Sequence, residues 1–196
     1  MGLPALLVID MQNDFVREGA ALRVAGAEGI IPHIREVLDA FRARRLPVVH
    51  VLRVHRKDGS DVEVFRRNTF RQRAFAVRGS FGAAPIDELS PAPEEYTIEK
   101  TRMSAFMGTD LDLLLRSLGV TCLFVTGIQT PNCVRTTVFD AAAYNYDVVL
   151  VSDATAAQNA DIHAANIRDM ENIGTRIIGT SEVVRSLDAL VPGGRV

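Results

Sequence analysis

TCLFVTGIQTPNCVRTTVFDAAAYNYDVVLV, residues 121–151, carries the decision about the fold. Its opening, Thr121-Cys122-Leu123-Phe124-Val125-Thr126, is a short apolar run broken by Gly127, which predicts a buried strand. A helix is predicted from about Cys133 through Val134, Val138, Ala141 and Ala142. Val148-Val149-Leu150-Val151 is a second strand, ending near Asp153. A strand, a helix and a strand in so short a space predict a parallel βαβ unit.

The same alternation extends in both directions. Upstream, Leu111, Leu114, Leu115 and Leu118 share one helix face, with Thr109-Asp110 as a cap and Gly119 as the stop. Downstream, Asp161 to Ile173 reads as a helix, Arg176-Ile177-Ile178 as a strand and Ser181 to Leu190 as a terminal helix. In the first half, Leu6-Leu7-Val8-Ile9 is an apolar strand ending at Asp10. Ile30, Ile31, Ile34, Val37, Leu38 and Phe41 recur at helical spacing, with Pro32 in the first turn. Pro47 stops that helix, and Val48 to Leu52 and Tyr96 to Glu99 read as strands. The expected architecture is α/β: a three-layer, Rossmann-like doubly wound sheet of about six mainly parallel strands with helices on both faces. Residues 1–196 are expected to form one domain.

Residues 53–95 break the pattern. From Arg53 to Arg78 they hold eight Arg and Lys against Asp58, Asp61 and Glu63, and read as a long excursion from the sheet. Arg53, His55 and Arg71 are candidates for reaching inward to an anionic group. The competing reading is a solvated or intersubunit charged face.

The net charge of −2 gives no pull toward nucleic acid or an anionic membrane. No apolar run is long enough to span a bilayer, and no signal peptide is recognised. Cys122 and Cys133 are predicted on different elements, so no disulfide framework is expected and a reducing, cytoplasmic setting is.

Ligands of a doubly wound sheet sit beyond the carboxyl ends of its strands, where strand order reverses. Three reactive side chains are predicted there: Asp10, Lys100 and Cys133. Cys133 follows a turn-rich segment at a helix start, where free N–H groups and the helix dipole favour a thiolate. Cys122, inside an apolar strand, reads as core. Asp10 is a candidate general base or a loop-capping residue. Lys100 is a candidate for orienting Asp10, or a surface ion pair. The N–H groups of Gln129 and Cys133 are candidate oxyanion donors. His33 and His50 read as structural, and His163 and Asn166 as facing solvent.

Leu7-Val8-Ile9-Asp10-Met11-Gln12-Asn13-Asp14-Phe15, Glu99-Lys100 and the segment Val125 to Val134 resemble the isochorismatase-like hydrolases, in order and across Pro4 to about Val184. That superfamily includes nicotinamidases, N-carbamoylsarcosine amidohydrolase, and ureidoacrylate and biuret hydrolases. The resemblance implies a catalytic triad of Asp10, Lys100 and Cys133, and a cis peptide between Ile128 and Gln129. It also implies an oxyanion hole at Gln129 and Cys133, a pocket lined by Phe15, and a homodimer or homotetramer. Nicotinamidases carry a metal-binding Asp-x-His where this chain has Arg53-Val54-His55, so no cofactor and no metal are expected. The expected activity is hydrolysis of a non-peptide C–N bond in a small amide, ureido or carbamoyl compound.

Other activities fit less of the chain. Vinyl ether hydrolysis of the isochorismatase type proceeds without a cysteine, and leaves Cys133 without a task. A receiver-like signalling module built on Asp10, Asp14 and Lys100 leaves it unused as well, and a catalytically idle binding module leaves the whole triad so. Dinucleotide binding lacks its glycine-rich turn, because Asp10-Met11-Gln12-Asn13 stands there.

Overall fold

The computed structural model describes residues 2–20 and 22–190. Six strands, β1 (Leu3–Ile9), β2 (Val48–Arg53), β3 (Tyr96–Lys100), β4 (Val120–Ile128), β5 (Asp147–Ala156) and β6 (Arg176–Ile178), form one sheet. Its order is β3-β2-β1-β4-β5-β6, and every adjacent pair is parallel. The chain builds outward from β1 to β3, then crosses back to lay β4 against the other side of β1. The carboxyl ends of β1 and β4 therefore flank the crevice where ligands of such sheets bind.

Strand alternation assigns the two cores. Leu6 and Val8 face one layer with Ile34, Val37, Leu38 and Phe41 of α2 (Ile31–Ala43) and Val183 and Leu187 of α7 (Thr180–Leu190). Leu7 and Ile9 face the other, with Leu111 and Leu115 of α4 (Leu111–Ser117) and Val138 and Ala141 of α5 (Arg135–Ala143). Met170 of α6 (Ala160–Asn172) joins the second layer. Buried on both faces, β1 has no polar side chain to place until Asp10. Two short helices lie off the sheet, α1 (Asn13–Val16) and α3 (Arg67–Gln72).

Two strand ends differ from expectation. Gly127 does not break β4, which continues to Ile128. Its φ of +101° suits glycine alone, and a Cβ there would fall 2.1 Å from Ile9 O. β5 likewise passes Asp153 to reach Ala156, absorbing a register shift opposite Val125 and Gly127. The excursion is irregular as expected, pinned by isolated bridges from Gln12 to Pro85 and from His55 to Val77.

Candidate active site

β1 hands the chain to Asp10 in a left-handed conformation, φ +53°, which aspartate tolerates better than most residues. Its N–H still donates to Val51 O at 2.8 Å, so the carboxylate leaves the sheet from a fixed base. Lys100 closes β3, in register with Arg53 at the end of β2. Its Nζ donates to Asp10 Oδ2 at 2.9 Å and to Arg102 O at 3.2 Å. Both side chains of this pair are buried. Asp10 Oδ1 has no hydrogen-bond partner, an open acceptor in a place where such groups are rare.

Cys133 sits in a turn of π-helix, Thr130–Val134, which runs directly into α5. The wide turn is held from outside: Thr137 Oγ1 donates to Cys133 O at 2.6 Å, and His163 Nδ1 meets Thr130 Oγ1 at 2.8 Å. His163 thus anchors this turn instead of facing solvent as the sequence suggested; α6 packs on the π turn and turns the ring inward. The Ile128–Gln129 peptide just before it is cis. Cys133 is 5% exposed, at the wall of a cavity of about 580 Å³ that Asp10, Phe15, Arg53 and Gln129 also line.

Arg53 completes the wall. Only 1% exposed, it places Nη2 at 3.6 Å from Cys133 Sγ and gives Nη1 to Glu63 Oε1 at 2.8 Å and Thr101 O at 3.2 Å. Burial opposes the guanidinium charge, but the field of Cys133, Asp10 and Glu63 outweighs burial and raises Arg53 above its ordinary value. Burial likewise pushes the Glu63 carboxyl up, and the charge and hydrogen bond of Arg53 reverse that to a net lowering.

Two residues proposed to reach the pocket do not. His55 is 0% exposed and lies behind the wall, with Nδ1 3.3 Å from Asp61 Oδ1 and its ring edge-on to Phe70 and Phe75. β2 ends at Arg53, so His55 follows the bridge to Val77 and not the strand direction. Arg71 lies on the exposed side of α3, because Phe70 is the residue that helix buries. Sequence reasoning missed Glu63, Phe65 and Arg66, of which Phe65 and Arg66 line the cavity mouth. Glu63 had a signal, an acid inside a basic stretch. The residues around Cys133 do not fit a metal: the Arg53 guanidinium already sets a positive charge beside it and in the field of His55. Among the described residues no three His, Cys, Asp or Glu side chains converge to hold one.

Residues 4–182 match the family described as the isochorismatase domain. A probable inactive nicotinamidase of Arabidopsis thaliana is 47% identical over 176 residues, covering 88% of this chain and 90% of that protein. The N-carbamoylsarcosine amidase of an Arthrobacter species is 33% identical over 192 residues, covering 95% of this chain and 72% of its own length. Among solved structures, an isochorismatase family protein from Desulfovibrio vulgaris is similar with a TM-score of 0.92 and 44% identity, covering 95% of this chain and 99% of that one. A family match over residues 4–182, with relatives as near as these, shows that the chain belongs to the isochorismatase family of hydrolases.

Proposed function

We propose that this protein hydrolyses a non-peptide C–N bond in a small amide, ureido or carbamoyl compound, through a thioester on Cys133. One observation carries the reading: Asp10, held by buried Lys100 and with its Oδ1 left open, lines the same cavity as Cys133.

Asp10 takes the proton of Sγ, and the thiolate attacks the substrate carbonyl carbon. The N–H groups of Gln129 and Cys133 receive the charge that develops on the carbonyl oxygen. Asp10 returns the proton to the departing nitrogen, the C–N bond breaks, and a thioester remains. Asp10 then takes a proton from water as its oxygen attacks the thioester carbonyl, the C–S bond breaks to release the acid, and Asp10 returns the proton to Sγ. Lys100 holds Asp10 in place throughout. Phe15 and the rim residue Phe65 offer apolar surface against the substrate. A free thiol of this kind suits the reducing cytoplasm.

The similarity to an N-carbamoylsarcosine amidase supports this substrate class. The similarity to a protein named a probable inactive nicotinamidase favours a second reading, an idle binding module. A panel of small amides, ureido acids and carbamoyl amino acids, assayed for ammonia release, separates them. Release that vanishes in Cys133→Ala is the expected result. Release that persists undiminished in that variant removes the nucleophile, and no release from any compound supports the idle module.

A further inference from the structure

Cys133 is bordered by two buried ion pairs. Lys100 meets Asp10, and Arg53 meets Glu63. With the thiol protonated, those four charges sum to zero, and Arg66, whose Nη1 lies 4.0 Å from Glu63 Oε1, stands at the cavity mouth outside the two pairs. Moving the proton breaks the S–H bond, forms an O–H bond at Asp10 and carries the negative charge from carboxylate to sulfur. The sum stays zero, but the charge has moved from the side of Lys100 to the side of Arg53. Lys100 by itself would oppose that movement, since a cation 2.9 Å from Oδ2 favours the carboxylate. A second cation is needed where the charge arrives.

Resting on the thioester reading above, we infer that Arg53 is a catalytic residue, the counter-ion of the Cys133 thiolate, and that Glu63 sets how much of its charge the sulfur feels. Three features support this. Arg53 Nη2 lies at 3.6 Å from Sγ, while Nη1 is taken by Glu63 and Thr101 O. The backbone of Arg53 is tied at both its N–H and its C=O by the side chain of Gln12, and Glu63 and Thr101 O hold the guanidinium beside the sulfur. Glu63 Oε2 is buried without a partner, so Arg53 is held by one carboxylate oxygen and keeps charge to offer elsewhere. An arginine that bound only a substrate anion would have no reason to point at Sγ.

The test is alkylation of Cys133 by iodoacetamide, an uncharged probe, followed by peptide mass mapping on the full chain across roughly pH 5 to 9. No substrate is required. Arg53→Gln is expected to slow alkylation at neutral pH by about tenfold and to move the profile toward higher pH. Glu63→Gln removes the anion that shares Arg53, and is expected to move the profile the opposite way. Arg53→Lys retains a cation and is expected to restore part of the rate. A mere packing defect shifts Arg53→Gln and Glu63→Gln in the same direction, which overturns the inference. So does an unchanged profile in Arg53→Gln, since the sulfur then does not feel the Arg53 charge. Should Arg53→Gln fail to fold, the double variant Arg53→Gln/Glu63→Gln keeps the site neutral and is expected to alkylate more slowly than Glu63→Gln; an equal rate overturns the inference. Alkylation without turnover also separates the two proposals: opposite shifts with no amide cleaved leave the counter-ion standing and remove the hydrolase.

Discussion

Gln12 grips the backbone of Arg53 from both sides: its Nε2 donates to Arg53 O at 2.8 Å, and its Oε1 accepts the Arg53 N–H at 2.8 Å. The β1–β2 ladder has ended by then, its last register being Ile9 with Val51. The amide therefore does for β2 what another residue of β1 would have done, and it leaves Asp10 free to turn into the cavity. Nε2 also donates to Ala83 O at 2.7 Å, which ties the excursion to the same point.

Replacing Gln12 by Leu leaves a buried N–H and two buried carbonyl oxygens without these partners. A loss of about 3 kcal/mol is expected, because unsatisfied buried polar groups keep their full desolvation cost. Gln12→Glu removes the donor while retaining the shape, and is expected to be at least as harmful. Denaturant unfolding of the two variants measures both effects.

Lys100 is the buried partner of Asp10, and Lys100→Met keeps its length without its charge. Asp10 is then a buried carboxylate with no cation in contact. Hydrolysis is expected to fall by about a thousandfold, and stability by roughly 3 kcal/mol. Ammonia release, read beside a thermal melt, distinguishes a lost role from a lost fold.

At Gly127 a side chain has nowhere to go. A Cβ would meet Ile9 O at 2.1 Å and Ile9 N at 2.7 Å, both backbone atoms of the strand that aims Asp10. Gly127→Ala is expected to cost roughly 3 kcal/mol or more, from the positive φ together with overlap that only backbone movement relieves. Activity per folded molecule falls as well, because β1 and β4 must separate beside the site. Denaturant unfolding and initial rates check the two parts.

Acid is expected to weaken the far end of β2. Burial pushes the Glu95 carboxyl up, but hydrogen bonds from Arg42, the Ala92 N–H and His50 outweigh burial and leave it at about 2, against an ordinary 4.5. The unfolded chain therefore binds this proton more readily. The contribution is present above the ordinary value and is lost as pH falls through about 2. His50 acts in the same sense: burial lowers it below its ordinary 6.5, so acid favours the unfolded chain, where it charges freely. Glu95→Gln should flatten the acid side of a plot of unfolding free energy against pH, and lower stability at neutral pH.

The sheet was legible because β1, β2, β4 and β5 are apolar runs, and helical periods follow β1, β4 and β5; β1 begins three residues earlier than expected and β2 ends one residue later. Asp10 was legible for a related reason, as the polar residue that follows an apolar strand, and Lys100 as the residue that closes the third strand. Gly127 misled because a glycine after an apolar run reads as a stop, whereas here it lets two strands pass closely. The excursion resisted because its order comes from side chains bonded to distant backbone, such as Asn13 Nδ2 to Phe81 O and Asp14 Oδ2 accepting from Ala76 N–H. Such bonds have no period. Arg53 was identifiable as a pocket residue, but its aim at the sulfur depends on Glu63 and Gln12, which no local pattern joins to it.

The pairing of β1 with β4 has a consequence for how the protein is made. Thr126 Oγ1 donates to Leu7 O across 119 residues, and Arg53 and Cys133 are 80 apart. A growing polypeptide holds its first strand without its central neighbour until most of the chain has left the ribosome. A copy halted before residue 133 thus carries Asp10, Arg53 and Lys100 without the sulfur they are folded to surround.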